Sequence, residues 1–451
     1  MDDTIVAIST ATGVSAINII RLSGSKAIEI VDTVFDKDLK TKKSNTITYG
    51  HIVFNGEVID EVLVSIFRAP KSYTTEDIVE INCHGGIAPT NKILETILMQ
   101  GARLAEPGEF IKRAYLNGRV DLIEAESVQD LIYSKTEASR KMSINGVNGI
   151  LSKLIKKLRN DILAIIANIE VNIDYPEYED AIEITNEILK EKISVIKSNI
   201  INLIKESENG KIIKNGIEIG IIGRPNVGKS SLLNEILQEN KAIVTDIEGT
   251  TRDIVEGSII LNGIELKFID TAGIRNTKNL VEKIGVEKSK EIIEKSDLIL
   301  MMFDNNKTLN EEEKQLIKET RDKKRIFIIN KIDLKTNIDK NYFPKTSPLI
   351  EMTVKDYKYI NTLKEEIINM FNLKELEISD YTYISNSRQI ALLKECLIIV
   401  NTIQETNENG ISVDLIEIDL KRLWDKLGEI IGESYKDELL DEIFSKFCLG
   451  K

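Results

Sequence analysis

A chain of 451 residues with 42% apolar and 29% charged side chains has material for roughly three ordinary domains. Its net charge of −13 argues against a protein that coats nucleic acid without specificity. The longest apolar runs fall short of the roughly 18 residues of a membrane span, the N-terminus lacks the features of a secretory leader, and Cys83, Cys396 and Cys448 have no C-x-x-C spacing, so a cytoplasmic protein without a disulfide framework or zinc site is expected.

Residues 1 to 118 read as an α+β domain. Asp3–Ile8 and Ala16–Leu22 are β-type runs around a Thr/Gly turn, Glu61–Phe67 and Asp77–His84 are two more, and Pro89–Met99 carries helical spacing. From 119 to 213 the pattern turns helical. Leu151, Leu154, Ile155, Leu158, Ile162, Ile165, Ile166 and Ile169 keep one register, Pro176 interrupts it, and a second stretch through Ile193, Ile196, Ile200 and Ile204 is expected to end at Asn209-Gly210. These stripes predict a helical core and carry no chemistry. Residues 214 to 374 alternate strand-like runs (Ile217–Ile221, Leu266–Asp270, Leu298–Asp304, Arg325–Asn330) with charged helical segments, the pattern of a doubly wound α/β domain. Helical character returns over 375 to 451. The simplest architecture therefore inserts a Ras-like P-loop α/β domain into a helical domain made of two non-contiguous segments.

The α/β segment carries the chemistry. Gly223-Arg-Pro-Asn-Val-Gly-Lys-Ser230 lies between a strand pattern and a helix pattern, which is the context that makes G-x4-G-K-S a phosphate loop. Its backbone N–H groups and the following helix dipole face a phosphate, Lys229 adds a charge, and Ser230 places a hydroxyl beside magnesium. Asp270-Thr-Ala-Gly273 follows at a strand end, where the carboxylate holds magnesium through water and Gly273 offers an N–H to a γ-phosphate. Asn330-Lys-Ile-Asp333 closes a later strand, and a carboxylate at Asp333 accepts from the N1–H and exocyclic amine of guanine, a pattern adenine lacks. Three motifs in this order point to GTP and GDP. The segment 244 to 253 occupies the place of a switch loop, with Thr251 completing the magnesium shell, and Ile274 stands where a water-orienting glutamine would otherwise be.

Asn226, the loop Gly249-Thr-Thr-Arg-Asp253 and Ile274 resemble the cation-dependent branch of translation-factor-like GTPases. Further stretches narrow the resemblance: Ile20-Arg-Leu-Ser-Gly24, Ser72-Tyr-Thr-Thr-Glu-Asp77, Cys83-His-Gly-Gly86, Gly101 to Phe110, Leu116-Asn-Gly-Arg-Val-Asp-Leu122, Ile173-Asp-Tyr-Pro176 and the terminal Phe447-Cys-Leu-Gly-Lys451. Together they resemble, from end to end, the MnmE (TrmE) family of tRNA modification GTPases.

That resemblance implies a homodimer, a potassium-stimulated GTPase cycle, and a flavin-dependent partner of the MnmG type in a heterotetramer or larger complex. With a tetrahydrofolate one-carbon donor it would modify C5 of the wobble uridine of certain tRNAs, giving aminomethyl or carboxymethylaminomethyl groups. Motifs and resemblance together give a nucleotide site of Asn226, Val227, Gly228, Lys229, Ser230 and Ser231; Thr245, Asp246, Ile247, Glu248, Gly249, Thr250 and Thr251; Asp270, Thr271, Ala272 and Gly273; and Asn330, Lys331 and Asp333. Ser230 and Thr251 would hold Mg2+, and Asn226, Thr245, Ile247 and Thr250 would hold K+. Glu282 would orient the hydrolytic water. The N-terminal domain would be folate-binding and dimerising, with Arg21, Glu80, Arg119 and the terminal Lys451 on 5-formyltetrahydrofolate or a relative. Two departures stand out: Thr12-Gly-Val-Ser-Ala16 replaces a glycine-rich turn, and Thr353-Val-Lys355 stands where a Ser-Ala-Lys base loop is usual. The runner-up, a ribosome-assembly GTPase, shares the Asn226 and Gly249–Asp253 features but would carry a basic RNA-binding domain or a second GTPase unit, and neither is evident. His84 reads as structural, and Cys448 as a small side chain within a family motif.

Overall fold

A computed structural model of the chain describes residues 3–11, 13–174, 184–239, 255–269, 290–377, 380, 382–433 and 437–450. It divides into two compact units, Met1–Ile132 with Gly146–Ile200 and Ala391–Lys451, and Tyr133–Asn145 with Ile201–Ile390.

In the first unit β1 (Ile5–Ile8), β2 (Ile17–Ser23), β3 (Thr46–Phe54), β4 (Glu57–Phe67), β5 (Ile78–His84) and β6 (Arg103–Leu104) form a six-stranded sheet ordered β3-β4-β5-β2-β1-β6. The pairing is antiparallel except for β1 with β6. Alternating side chains of these strands pack with α1 (Ala27–Asp32) and α2 (Ile87–Met99), burying Leu22, Val31, Val64, Ile81, Ile93 and Ile97. A smaller core joins α3 (Glu109–Leu116) and α4 (Leu122–Tyr133) to the terminal helix α14 (Asp437–Ser445) through Ile111, Leu122, Leu440, Phe444 and Phe447. The long helices α6 (Ile150–Asp174) and α13 (Val413–Ile431) are pinned where the Arg159 guanidinium lies 3.9 Å from the centre of the Trp424 ring and its Nη1 meets Glu433.

The second unit holds β7 (Ile217–Ile222), β8 (Val255–Leu261), β9 (Ile264–Ile269), β10 (Leu298–Asp304), β11 (Lys324–Asn330) and β12 (Leu349–Met352), ordered β12-β11-β10-β7-β9-β8. Only β8, at the edge, is antiparallel to its neighbour. Every residue of β10 is buried, as both faces of a parallel sheet are covered. One face packs against α8 (Lys229–Glu239) and α10 (Tyr357–Met370) through Leu232, Ile236, Ile360 and Leu363. The other buries Ile317 of α9 (Glu311–Glu319) together with Phe303, Phe327 and Phe343. The chain leaves β7 to one side for β9 and returns to its other side for β10. The loop after β7 therefore opens at a topological switch point, where α/β sheets bind ligands.

The expected mixture of α+β, helical and P-loop α/β architecture is what the chain adopts. Three local readings needed correction. The helix α7 (Asn186–Asn215) runs on past Gly210, because that glycine stops nothing. A side chain there would fall on the carbonyl of Ile384, so Gly210 serves the close approach of the Tyr383–Ile384 segment to the helix. Leu154, counted in the apolar stripe of α6, is 40% exposed, while its stripe neighbours Leu151, Ile155 and Leu158 are buried. Finally, the structure adds the strands β3, β6, β8 and β12 to those expected, and β3 and β8 each lead into an Asn-Gly turn. Asn55-Gly56 and Asn262-Gly263 both have positive φ at the two central positions, the type I′ geometry that joins twisted antiparallel strands.

The N-terminal unit rests on one buried cation. Arg113, 1% exposed, donates to Asp3 Oδ1 (2.9 Å), both Glu76 oxygens (3.2 and 3.1 Å) and Glu109 Oε1 (3.0 Å). Burial pushes the Glu109 carboxyl up, but hydrogen bonds from Arg103, the Glu106 amide and Arg113 outweigh it and hold it below the ordinary value of 4.5. Replacing Arg113 with Met leaves Glu76 without its arginine and Asp3 and Glu109 with Arg103 alone, and should cost about 3–5 kcal/mol. A carboxyl with a depressed folded pKa contributes stability that is full above its unfolded pKa and is lost as pH falls through the folded one. Thermal melts from pH 8 to 3 should therefore show Arg113→Met clearly less stable at neutral pH, with the gap to wild type narrowing as pH falls and these carboxylates protonate; superimposable curves, or a gap that widens in acid, would contradict this.

Candidate guanine-nucleotide site and N-terminal pocket

A cavity of about 1050 Å3 opens at the carboxyl ends of β7 and β11, lined by Asn226, Gly228, Lys229, Ser230, Ser231, Asn330, Lys331, Asp333 and Thr353 to Lys355. The phosphate loop follows β7 directly, and α8 begins at Lys229, so the first-turn amides of that helix and its positive dipole end face the cavity. Lys229 Nζ donates to the carbonyls of Gly223 (2.6 Å) and Arg224 (2.9 Å), and burial pushes its pKa down. A phosphate at this point would supply the counter-charge that the ammonium lacks among the described residues.

The base-recognition motif is wired to this loop. Asn330, 4% exposed, donates from Nδ2 to the Val227 carbonyl (2.7 Å) and accepts at Oδ1 from the Val354 amide (3.2 Å). Lys331 Nζ donates to the Asn226 carbonyl (2.8 Å) and to Asp304 Oδ2 (2.7 Å). Asn226 and Lys331 both hold left-handed backbone, at φ 65° and 66°. Burial raises the Asp304 carboxyl, but the Lys331 and Asn306 hydrogen bonds prevail and keep it below the usual carboxylate range. Arg224 reaches the buried Glu313 at 3.4 Å, and Glu313 also closes the capping box of α9 with Asn310. Of the expected residues, Asn226, Gly228 to Ser231, Asn330, Lys331 and Asp333 meet at this one cavity, while Val227 is buried in the core beside it. Thr245 to Thr251, Asp270 to Gly273 and Glu282 lie outside the described residues, as does Lys451. The sequence reading did not single out Asp304. Its one signal was an acidic residue closing an otherwise apolar strand.

A second cluster stands in the N-terminal unit. Arg21 and Glu80 face each other in register on β2 and β5, and Arg21 Nε and Nη2 both lie 2.8 Å from Glu80 Oε1. The Tyr73 ring lies 5.4 Å from the Arg21 guanidinium and 4.5 Å from that of Arg119. Among the described residues the buried Tyr73 hydroxyl has no hydrogen-bond partner, and burial raises its pKa. The chain end reaches this cluster: the Gly450 carbonyl accepts from Arg21 Nη1 (3.3 Å) and Ser9 (3.1 Å), and the Cys448 carbonyl from the Gly108 amide (3.2 Å). Of the four residues expected to hold a folate, Arg21 and Arg119 thus lie against one aromatic ring and Glu80 pairs with Arg21, with a donor unsatisfied among the described residues beside them. That fits a ligand bearing both a flat ring and polar edges. His84 Nδ1 lies 2.7 Å from Asp60 Oδ1 at the end of β5, which raises the imidazole pKa. Among the described residues no His/Cys/Asp/Glu cluster suited to a metal is present, and no helix is long and apolar enough to cross a membrane.

The model described as GTP-binding protein TrmE N-terminus matches residues 4–119, and that of the MnmE helical domain matches residues 122–448. The tRNA modification GTPase MnmE of Enterococcus faecalis is 48% identical over 457 residues, covering 100% of this chain and 98% of its own. The chain belongs to the MnmE family. Its counterpart in Bacillus mycoides, also named tRNA modification GTPase MnmE, is 50% identical over 455 residues, covering 100% and 99%. Among solved structures, the FeoB G domain from Methanococcus jannaschii is 23% identical over 35% of this chain and 97% of its own, with a TM-score of 0.25.

The hydrogen bond from Asn330 to the phosphate loop gives a direct test. A side chain at Gly228, whose φ is 105°, would strike Asn330 Nδ2. Gly228→Ala should weaken binding of a fluorescent GDP analogue by at least about ten-fold, since 1.4 kcal/mol already gives that factor. Wild-type affinity would show that the Asn330 contact is dispensable.

Proposed function

We propose that this protein is a potassium-stimulated GTP hydrolase. With a flavin-dependent partner of the MnmG type, it modifies C5 of the wobble uridine of certain tRNAs, using a folate one-carbon donor. The observation that carries the nucleotide part is the cavity where the phosphate loop, Asn330, Lys331 and Asp333 converge, in a chain aligned over its whole length with tRNA modification GTPases.

Lys229 and the α8 N-terminus bind the phosphates, Ser230 offers the magnesium hydroxyl, and Asp333 selects guanine. Asn226, with Thr245, Ile247 and Thr250, would hold a potassium ion, and Thr251 would complete the shell of a magnesium ion. Bound Mg2+ and K+ would neutralise charge developing on the transferred phosphoryl group. Glu282 orients the hydrolytic water, the task that Ile274 is unable to perform. In the N-terminal unit, Arg21, Glu80 and Arg119 hold the folate, with Lys451 at the chain end beside them. The carboxylate suits pterin N–H donors, and the guanidinium groups suit carboxylate and carbonyl oxygens. Bound folate would carry the one-carbon unit. The unpartnered Tyr73 hydroxyl and the approach of Gly450 to Arg21 support this placement. The working boundaries are 1–118 for a dimerising folate domain, 119–213 with 375–451 for a helical domain, and 214–374 for the GTPase domain of a cytoplasmic homodimer.

Steady-state GTP turnover of the full chain should be faster in potassium than in sodium by on the order of a hundred-fold, the scale of one preorganised charge-stabilising group. Glu282→Ala should lower turnover by about 10²–10⁴ while GTP affinity stays nearly intact. Equal rates in the two salts would overturn the potassium reading, and unchanged turnover in the variant would overturn the role of Glu282.

A further inference from the structure

The geometry points to Asp304 as a positioning residue for the guanine site, acting through Lys331 on the phosphate loop. The inference rests on the reading of this cavity as a guanine-nucleotide site and adds a residue that none of the three nucleotide motifs contains.

Asp304 ends β10 and pairs in register with Asn330 at the end of β11, where the Asn305 amide also donates to the Asn330 carbonyl (2.9 Å). Its side chain is 5% exposed, whereas that of Lys331 is 32% exposed. One carboxylate oxygen takes the Lys331 ammonium at 2.7 Å, and the other takes the Asn306 amide at 3.0 Å. The carboxylate is therefore fixed by its own strand end, while the lysine is the movable partner. The same ammonium donates to the Asn226 carbonyl, so it bridges two loops at the residues that carry left-handed backbone. A lysine side chain has about 2 kcal/mol of rotamer freedom to lose, and a single bond to a carbonyl holds it weakly. The buried carboxylate selects the one rotamer that lies between base loop and phosphate loop. Without it, the ammonium swings to solvent, and Asn226 loses the bond that steadies its positive φ.

The test is a double-mutant cycle on the full chain, read as the dissociation constant of a fluorescent GDP analogue. Asp304→Asn keeps shape and burial but removes the charge. It should weaken binding about ten-fold, equivalent to about 1.4 kcal/mol. Lys331→Ala should weaken it comparably, and Asp304→Asn made in the Lys331→Ala background should change little further. In turnover assays Asp304→Asn should raise KM more than it lowers kcat. A residue that only supported the fold would give additive losses, and additivity would overturn the inference, as would Asp304→Asn affinity within about two-fold of wild type. Should Asp304→Asn fail to fold, the same cycle with Asp304→Glu applies, where the charge is kept but displaced by a methylene. A loss of about three-fold that vanishes in the Lys331→Ala background supports the inference, and an additive or absent loss contradicts it. Wild-type protein that bound no guanine nucleotide would instead remove the underlying reading of the cavity.

Discussion

One buried amide determines how the nucleotide cavity is put together. Asn330 satisfies the Val227 carbonyl with its nitrogen and the Val354 amide with its oxygen, so three loops, after β7, β11 and β12, depend on a single side chain. A buried polar group without partners costs on the order of 1–3 kcal/mol, so none of the loops can shift alone without leaving such a group behind. The absence of a side chain at Gly228 lets Asn330 come this close, and the parallel order of the sheet brings the ends of β7, β10 and β11 to one edge. The cavity is rigid on its base side because a hydrogen-bonded amide and a lysine–carboxylate pair hold it there.

The N-terminal unit uses a comparable device for another purpose. Arg113 gathers carboxylates from three segments of the chain, Asp3, Glu76 and Glu109, and fixes α3 against the beginning of the sheet. Phe444 and Phe447 pack near α3, and the last residues continue to Arg21. The first strands of the chain and its final residues are thereby brought together at Arg21. Here Arg21 is paired with Glu80, yet among the described residues the buried Tyr73 hydroxyl is left without a partner.

Motifs whose spacing is set by phosphate and base chemistry were legible in the sequence, because a strand end, a tight loop and a helix start force those residue types into a fixed order. Asn226, Gly228 to Ser231, Asn330, Lys331 and Asp333 do converge. What escaped was tertiary. Gly210 resembles a helix stop but serves an approach by Ile384, and Leu154 keeps helical register with buried neighbours while facing solvent. Asp304 has no motif of its own, since its role depends on two strands lying side by side. The strands β3 and β8 were missed for a different reason: the Asn-Gly turns after them were legible but were not weighed. Arg21 and Glu80 are far apart in sequence and meet only through the register of β2 and β5, so resemblance alone could suggest them.

The account joins a guanine-specific switch to chemistry on RNA, and the junction is open to one measurement. Mass analysis of wobble-position nucleosides should be made on tRNA from cells lacking this protein, with wild-type chain or the Asp333→Asn variant restored. The account predicts that C5-modified uridines are missing, return with the wild-type chain, and stay missing with the variant that no longer matches guanine. Normal C5 modification in cells without the protein would contradict it.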